Sequence, residues 1–288
     1  MNKPLFTGAC TALITPFLDG KVNYPMLKVL LKRQLDAGIT AVVLCGTTGE
    51  APTLSDDEKL EIFRLAKEYI GGKMKIIAGT GSNYTKHAVE LSIAAEQIGA
   101  DGLLVVTPYY NKATPEGIVA HYKAICDAVD IPVIVYNVPG RTGLDIPAEV
   151  YPLLAEIPNI AGVKEASTSI TKIGKIISLC PGFPVWAGND DMITPVISLG
   201  GQGVISVLSN VLPIETQALS LAALSGDFDT AAALQSRLEK WVEFLFCEVN
   251  PIPVKAAMSR LGYDCGECRM PLTRLSPKNM EKLNQLLK

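Results

Sequence analysis

Histidine is scarce in this chain, with two copies, His87 and His121, among 288 residues. That leaves little material for a Ser–His–Asp triad or for a metal site built from several histidines. Apolar runs long enough to cross a membrane are also missing. Charged residues make up 19%, the net charge is -3 and no block of like charges occurs, which argues against nucleic acid as a partner.

The seven cysteines are scattered, and Cys265 and Cys268 form a single CxxC without a second CxxC or a histidine pair nearby. Free thiols are therefore expected, with a zinc site as the alternative. At the N-terminus, Lys3 precedes an apolar stretch that Thr11 and Thr15 interrupt, which makes a poor signal peptide. We therefore expect a cytoplasmic protein.

The chain does contain a regular alternation of short β-branched runs and longer helical patterns. Eight strands are predicted, over residues 10–14, 41–44, 75–78, 102–106, 133–136, 162–164, 184–187 and 203–207. The segments between them carry helix signals, such as the capping box of Ser55 and Glu58 and the N-cap Thr114 before Pro115. The alternation favours an α/β protein.

A weak internal repeat indicates that the strands are parallel. Residues 37–44, 98–106 and 199–207 each place a glycine at the end of a helix, with a buried strand a few residues later. Eight such units predict a (β/α)8 TIM barrel over residues 1–225. A doubly wound sheet is the alternative, but no GxGxxG follows the first strand.

The pattern changes to helices alone in residues 226–288. Helices are predicted over residues 227–247, 254–261 and 277–287. We expect this segment to be a helical extension that packs on the barrel. Residues 250–253, with two prolines, are predicted to be a rigid connection.

Lys164 is the most unusual residue of the predicted strands. Side chains alternate along a strand, so Lys164 shares a buried face with Gly162 while Glu165 points the other way. Burial disfavours the charged form of an amine, and a desolvated lysine is the nucleophile of Schiff-base chemistry. A lysine that reaches solvent or pairs with an acid is the alternative interpretation.

Barrel enzymes place their chemistry at the carboxyl ends of the strands. Residues 46–50, Gly-Thr-Thr-Gly-Glu, follow the second strand and could hold a carboxylate, although an ordinary turn is the alternative. The other strand ends add further candidates: Tyr109, Tyr110, Tyr136, Arg141, Gly188 and Ile205. Their convergence with Lys164 on one barrel mouth favours the nucleophile.

Five motifs, in this order, resemble the dihydrodipicolinate synthase family: GTTGE, YYNK, YNVPGRTG, GVKEAS and GVISV. That family belongs to the pyruvate-dependent class I aldolases, with N-acetylneuraminate lyase as a relative. The resemblance runs from about Thr7 to the C-terminus. It implies a barrel with a C-terminal helical extension and a Schiff-base-forming lyase of the carbon–oxygen class. The implied reaction condenses pyruvate with aspartate semialdehyde, the first committed step toward diaminopimelate and lysine.

The resemblance also implies roles for single residues. Lys164 would form the imine; Tyr136, Thr47 and Tyr110 would relay protons; Thr47 and Thr48 would hold the pyruvate carboxylate; Arg141 would bind the second carboxylate; Gly188 and Ile205 would complete the substrate site. Tyr110 would reach the site of a neighbouring subunit in a homotetramer built from dimers. No metal or organic cofactor is implied, and neither nucleic acid nor membrane is an implied partner.

Many relatives are inhibited by lysine, and the resemblance places seven residues of this chain at that regulatory pocket: Ala51, Pro52, Asp56, Lys59, Asn83, His87 and Tyr109. Lysine-sensitive relatives typically have histidine in place of Lys59 and glutamate in place of His87. Cations here would repel a cationic effector, although Asp56 could offset part of that repulsion. We predict that lysine does not inhibit.

Three other functions are compatible with a barrel of this kind. A related aldolase acting on sugar acids is disfavoured by Arg141, because N-acetylneuraminate lyases generally lack it. A phosphate-binding isomerase is disfavoured because Gly200 and Gly201 precede the last strand instead of following it. A non-catalytic barrel is disfavoured because the implied hydroxyl relay is intact.

Overall fold

Parallel strands close into a barrel at the centre of the molecule, seen in a computed structural model that describes residues 3–288. The strands are β1 (Gly8–Ala12), β2 (Phe17–Leu18), β3 (Lys21–Val22), β4 (Ala41–Leu44), β5 (Lys75–Gly79), β6 (Gly102–Val106), β7 (Val133–Asn137), β8 (Ile160–Glu165), β9 (Val185–Ala187) and β10 (Gly203–Ser206). β2 and β3 form a separate hairpin, and the other eight close in the order β1-β10-β9-β8-β7-β6-β5-β4. The predicted (β/α)8 TIM barrel is confirmed.

Helices surround the barrel and continue beyond it. They are α1 (Tyr24–Asp36), α2 (Asp56–Ile70), α3 (Thr85–Ile98), α4 (Pro115–Cys126), α5 (Pro139–Thr142), α6 (Tyr151–Ala155), α7 (Ile170–Leu179), α8 (Ile193–Ser198), α9 (Pro213–Leu224), α10 (Phe228–Leu245), α11 (Ile252–Arg260) and α12 (Pro277–Leu286). Short 3-10 turns occupy Ala51–Thr53, Ala148–Val150, Asp190–Met192 and Leu208–Asn210. The predicted capping box of Ser55 and Glu58 opens α2, and Thr114 caps α4.

Three helix ends carry the glycines of the internal repeat. Gly38, Gly99 and Gly200 have φ of +74°, +95° and +103°, which a residue with a Cβ adopts only with strain. The N–H of the residue that follows each glycine donates to the carbonyl of the residue five positions before it, as Ile39 donates to Gln34. These Schellman-type ends turn each helix back toward the barrel.

Two features near the N-terminus differ from the sequence prediction. β1 begins and ends two residues earlier than predicted, because this segment is buried on both faces and no alternation marks its ends. The β2–β3 hairpin was not predicted. Asp19 and Gly20, with φ of +50° and +75°, form its tight turn, and the Asp-Gly pair was the signal for it.

The core has two layers, one inside the barrel and one between the barrel and the helices. The inner layer contains Cys10, Val43, Ile77, Leu104, Ile134, Trp186 and Ile205. Phe6, which precedes β1, stacks on Trp186 with ring centroids 4.8 Å apart. The amino end of the barrel is thereby filled, so the open end is the one at which the strands' carboxyl termini meet.

The helices after residue 226 pack back on the barrel unit, with α10 against α8 and α9. α11 begins at Ile252, so the prediction of a rigid connection over residues 250–253 is wrong for its second half. Prolines fit the first turn of a helix, where their missing N–H costs no hydrogen bond. All seven cysteines are free. Within residues 3–288, no helix is long and apolar enough to span a membrane, and no cluster of three potential metal ligands occurs.

Candidate active site

Lys164 lies inside the barrel near the carboxyl end of β8, where it is 5% exposed. Its register partners are Tyr136 on β7 and Trp186 on β9. The Lys164 Nζ lies 4.3 Å from the centre of the Tyr136 ring, whose negative face stabilises a cation. The amine is therefore held in the barrel interior.

Gly162, two residues before Lys164 in β8, leaves room for this arrangement because it has no Cβ. Its φ is +139°, and a Cβ there would lie 2.2 Å from the Pro184 carbonyl oxygen. Glu165 points outward, as predicted, and its carboxylate accepts a hydrogen bond of 2.8 Å from the Tyr151 hydroxyl. Burial and that carboxylate raise the pKa of Tyr151 well above its usual value, which keeps the hydroxyl protonated as a donor.

Residues 46–50 form a tight turn directly after β4. The N–H of Glu50 donates to the Thr47 carbonyl at 3.1 Å, and Glu50 takes a left-handed φ of +57°. Its buried carboxylate accepts hydrogen bonds from Lys255 Nζ and from the N–H of Arg269, each at 2.9 Å. Both donors lie in the C-terminal helical segment, which therefore anchors the turn.

A cavity of about 570 Å³ opens at the carboxyl ends of the strands, over this turn. Thr47, Tyr136 and Arg141 all line it. Tyr136 also contacts the buried Lys164 amine. The fold therefore gathers a hydroxyl from the end of β4 and a phenol and a guanidinium from the end of β7 at one opening, with an amine beside the phenol.

Thr48 and Arg141 both bond to Asn250, which was predicted only as part of a rigid connection. The Asn250 Nδ2 donates to Thr48 Oγ1 at 2.9 Å, and the Asn250 carbonyl accepts from Arg141 Nη2 at 3.1 Å. The first contact joins residues 202 positions apart. No local pattern signals such a pair, because it depends on how the C-terminal helices fold back.

Five predicted site residues are not part of the cavity lining: Lys164, Thr48, Gly188, Ile205 and Tyr110. Ile205 is fully buried in β10, and the N–H of Gly188, just after β9, donates to the Glu165 carbonyl at 2.8 Å. Tyr110 is 90% exposed and has a left-handed φ of +70°, although its neighbour Tyr109 does line the cavity. Within one chain, Tyr110 is therefore exposed to solvent and is not part of the cavity lining.

Asp190 is a buried carboxylic acid, and the positive charge of Lys164 acts on its carboxyl group. Its Oδ2 accepts from the N–H groups of Val207 and Leu208 at 3.0 Å each, and its Oδ1 has no hydrogen-bond partner among the described residues. Burial raises the pKa of this carboxyl, although hydrogen bonds and the positive charge of Lys164 oppose the shift. Asp190 follows β9 in the chain and was not among the predicted site residues.

The outer part of the cavity carries a three-residue ion cluster. The two oxygens of Asp56 bind Lys59 Nζ at 3.1 Å and His87 Nε2 at 2.8 Å. Burial opposes ionisation of Asp56, but the hydrogen bonds from His87 and Lys59 outweigh it and lower the pKa of the carboxyl. Asp56 is therefore already occupied by two basic groups of its own chain.

Known proteins resemble this chain along its whole length. Residues 5–288 match the model of the dihydrodipicolinate synthetase family. The 4-hydroxy-tetrahydrodipicolinate synthase of Acetivibrio thermocellus is 49% identical, covering 100% of this chain and 98% of that protein. The crystal structure of dihydrodipicolinate synthase from Aquifex aeolicus is 44% identical with a TM-score of 0.96, covering 98% and 97%. A chloride-inhibited dihydrodipicolinate synthase from Acinetobacter baumannii, solved with pyruvate, is 40% identical with a TM-score of 0.96, covering 98% of each chain.

Similarity of this extent covers the barrel, the C-terminal helices and the residues around Lys164 alike. The buried amine, the turn over residues 46–50 and the helical extension all fall within the matched residues 5–288. The chain belongs to the dihydrodipicolinate synthetase family.

Proposed function

We propose that this chain is a lyase that condenses pyruvate with L-aspartate 4-semialdehyde through a Schiff base on Lys164, the 4-hydroxy-tetrahydrodipicolinate synthase reaction. The observation that carries the proposal is the buried Lys164 amine, 4.3 Å from the ring of the cavity-lining Tyr136. The name of the Acetivibrio relative and the pyruvate in the Acinetobacter structure support it. The reaction is the first committed step toward diaminopimelate and lysine.

The chemistry begins when the unprotonated Lys164 amine attacks the ketone carbon of pyruvate. A C–N bond forms, the ketone oxygen leaves as water and a protonated imine remains on Lys164. Loss of a methyl proton moves an electron pair into the imine and gives an enamine. The enamine carbon forms a C–C bond with the aldehyde carbon, the aldehyde oxygen takes up a proton to become a hydroxyl, and the imine on Lys164 is restored. The amine of the second substrate then displaces the Lys164 amine and closes the ring. The ketone oxygen of pyruvate is lost as water at imine formation, so the proposed class is that of a carbon–oxygen lyase.

The proton transfers are assigned to hydroxyl groups because the cavity lining has one histidine, His87, at its outer part. Tyr136 lies nearest the amine, and Thr47 lines the same cavity. With Tyr110 they would form the relay that moves protons between the reacting carbon, the leaving oxygen and solvent. Closely spaced hydroxyls can pass a proton without carrying net charge into the barrel.

Two groups are suited to hold the two carboxylates. Thr48, buried in the turn over residues 46–50, would bind pyruvate together with Thr47, and the Arg141 guanidinium would bind the semialdehyde carboxylate. Gly188 and Ile205 would bound the site near Lys164, one through its backbone and one through apolar packing. Lys164 then faces both substrates from the barrel interior.

Assembly is the proposed reason for the position of Tyr110. A tyrosine that is 90% exposed and held at a positive φ is unfavourable in an isolated chain. Insertion into the site of a second copy, within a homotetramer built from dimers, would bury it and complete the relay. A cytoplasmic location is part of the same proposal.

Reductive trapping tests the reaction. The protein is incubated with labelled pyruvate and borohydride, digested, and its labelled peptide identified by mass spectrometry. Label is expected on the peptide that contains Lys164. Lys255 is a matched internal control, because it too is buried and lies 4.2 Å from an aromatic ring, that of Phe17, yet is paired with Glu50.

Lys164→Met should abolish the label, and aspartate semialdehyde added before the borohydride should convert the unreduced imine to cyclic product and so lower the labelling of the wild-type protein. Label on Lys255, or no label at all, would end the proposed mechanism. Label on Lys164 with turnover of sugar acids instead of the semialdehyde would identify a related aldolase.

A further inference from the structure

Asn250 connects the C-terminal helices to both proposed carboxylate-binding groups. It lies between α10 and α11, is 6% exposed, and reaches Thr48 through its side chain and Arg141 through its carbonyl. These two contacts place one residue, from outside the barrel strands, behind the groups that would hold pyruvate and the second substrate.

The direction of the Thr48 contact has a chemical consequence. The amide Nδ2 of Asn250 is only a donor, so Thr48 Oγ1 accepts in this bond of 2.9 Å. A threonine hydroxyl has a single proton, and acceptance from Asn250 leaves that proton free to donate elsewhere. A hydroxyl that donates is what a carboxylate requires, because an ionised carboxylate can only accept.

Only one of the two polar side-chain atoms of Asn250 is hydrogen-bonded. Its Nδ2 is bonded, whereas its buried Oδ1 has no hydrogen-bond partner among residues 3–288. An unpaired buried oxygen costs free energy, so a residue selected for packing alone would favour an apolar side chain of similar size. The surrounding residues therefore bond to the Nδ2 donor of Asn250 and not to its Oδ1 acceptor.

We infer that Asn250 is a positioning residue that turns the Thr48 hydroxyl proton toward the pyruvate carboxylate and holds the Arg141 guanidinium for the second substrate. The inference rests on the proposed condensation. The first role belongs to the side chain and the second to the backbone carbonyl, so substitution of the side chain separates them.

Asn250→Asp is the informative variant, because it keeps the shape of the side chain but replaces the donor by an acceptor. Thr48 would then donate to residue 250 and present a lone pair to pyruvate. The pyruvate concentration for half-maximal borohydride trapping should rise roughly ten- to a hundred-fold. The KM for aspartate semialdehyde should change less than about threefold, since the carbonyl that binds Arg141 remains.

A double-variant cycle shows whether Asn250 acts through Thr48. Asn250→Ala should raise the half-maximal pyruvate concentration about five- to tenfold in the wild-type background and less than about twofold in the Thr48→Val background. Thermal unfolding of every variant checks that the fold is intact, and Asn250→Asp serves where Asn250→Ala unfolds.

Three results overturn the inference. These are wild-type trapping by Asn250→Asp, equal effects of Asn250→Ala in both backgrounds, and equal loss of affinity for both substrates. Each of them leaves the proposed condensation intact as long as the wild-type protein forms the Lys164 adduct. Absence of that adduct in the wild type would overturn both.

Discussion

Lys255 and Glu50 form a buried ion pair, with Nζ 2.9 Å from Oε1 and side chains that are 2% and 0% exposed. The pair joins α11 to the turn over residues 46–50 across 205 positions of sequence. Lys255 Nζ also donates to the Glu267 carbonyl and lies over the Phe17 ring. The C-terminal segment is thus tied to the candidate site by charge as well as by packing.

Breaking this pair should destabilise the protein strongly. Lys255→Met leaves the Glu50 charge buried without its partner, which is expected to lower the free energy of unfolding by about 3–5 kcal/mol. Lys32→Met is the control, because Lys32 and Asp36 form an exposed pair whose loss should cost no more than about 1 kcal/mol. Urea unfolding measures both, and equal small changes would contradict the anchoring role.

Arg141→Ala should impair the use of aspartate semialdehyde far more than the binding of pyruvate. Loss of a charge-assisted hydrogen bond is worth about 1.5–3 kcal/mol, hence roughly a ten- to hundred-fold loss in kcat/KM for aspartate semialdehyde. Imine formation with pyruvate should persist, because only the second substrate is assigned to this guanidinium. Borohydride trapping and steady-state rates are compared in the same preparation. An equal loss in both assays would count against the assignment.

Activity should depend on assembly if Tyr110 serves a neighbouring site. Tyr110→Phe keeps the exposed ring but removes the hydroxyl, so turnover is expected to fall while the oligomeric state is retained. Dilution of the wild-type protein to monomer should lower specific activity too. Sedimentation analysis alongside rate measurements decides the matter. A monomer with full specific activity would refute the shared site and leave the Lys164 chemistry untouched.

Lysine should not inhibit this enzyme at about 1 mM, a concentration that corresponds to weak binding. Asp56 is the acid that could have attracted an ammonium group in the outer cavity, but both its oxygens already bind Lys59 and His87. A cationic effector would have to displace one of those groups and approach the other. Initial rates across a lysine titration provide the test.

His87→Glu combined with Lys59→His, the residues that lysine-sensitive relatives typically have, is the matched variant. It is expected to gain sensitivity to lysine. Saturable inhibition of the wild-type protein near 1 mM would show that the interpretation of this pocket is wrong.

His121 should make the fold sensitive to acid. Burial lowers its pKa to about 4, whereas an unfolded histidine titrates near about 6.5. Between these values the unfolded chain binds a proton that the folded chain does not, so stability present above about pH 6.5 is lost as the pH falls toward 4. The loss is at most about 3 kcal/mol.

Replacement of the imidazole isolates this effect from the titration of carboxylates. His121→Asn can keep the 3.0 Å hydrogen bond to Thr85 but has no proton to gain. The difference in unfolding free energy between wild type and variant should therefore shift between pH 7.5 and 4.5. A difference that stays constant with pH would contradict the prediction.

Much of the fold was predictable because its signals are local. The capping box of Ser55 and Glu58 and the glycines that end α1, α3 and α8 act within one turn of helix, so a short window of sequence contains the whole cause. The alternation that separates Lys164 from Glu165 is equally local. The ends of β1 were less predictable, because a strand buried on both faces has no such alternation.

The sequence by itself determined, to within about one residue, where every barrel strand except β1 ends. A barrel brings strand ends together whatever lies between them, which is why Thr47, Tyr136 and Arg141 could be predicted to share one opening. Only the tertiary structure decided that Asn250 bonds to Thr48, that Lys255 neutralises Glu50 and that Asp56 bridges Lys59 and His87. Such contacts join separate helices, turns and strands. Their partners are set by how side chains meet in three dimensions, which no period or motif in the chain encodes.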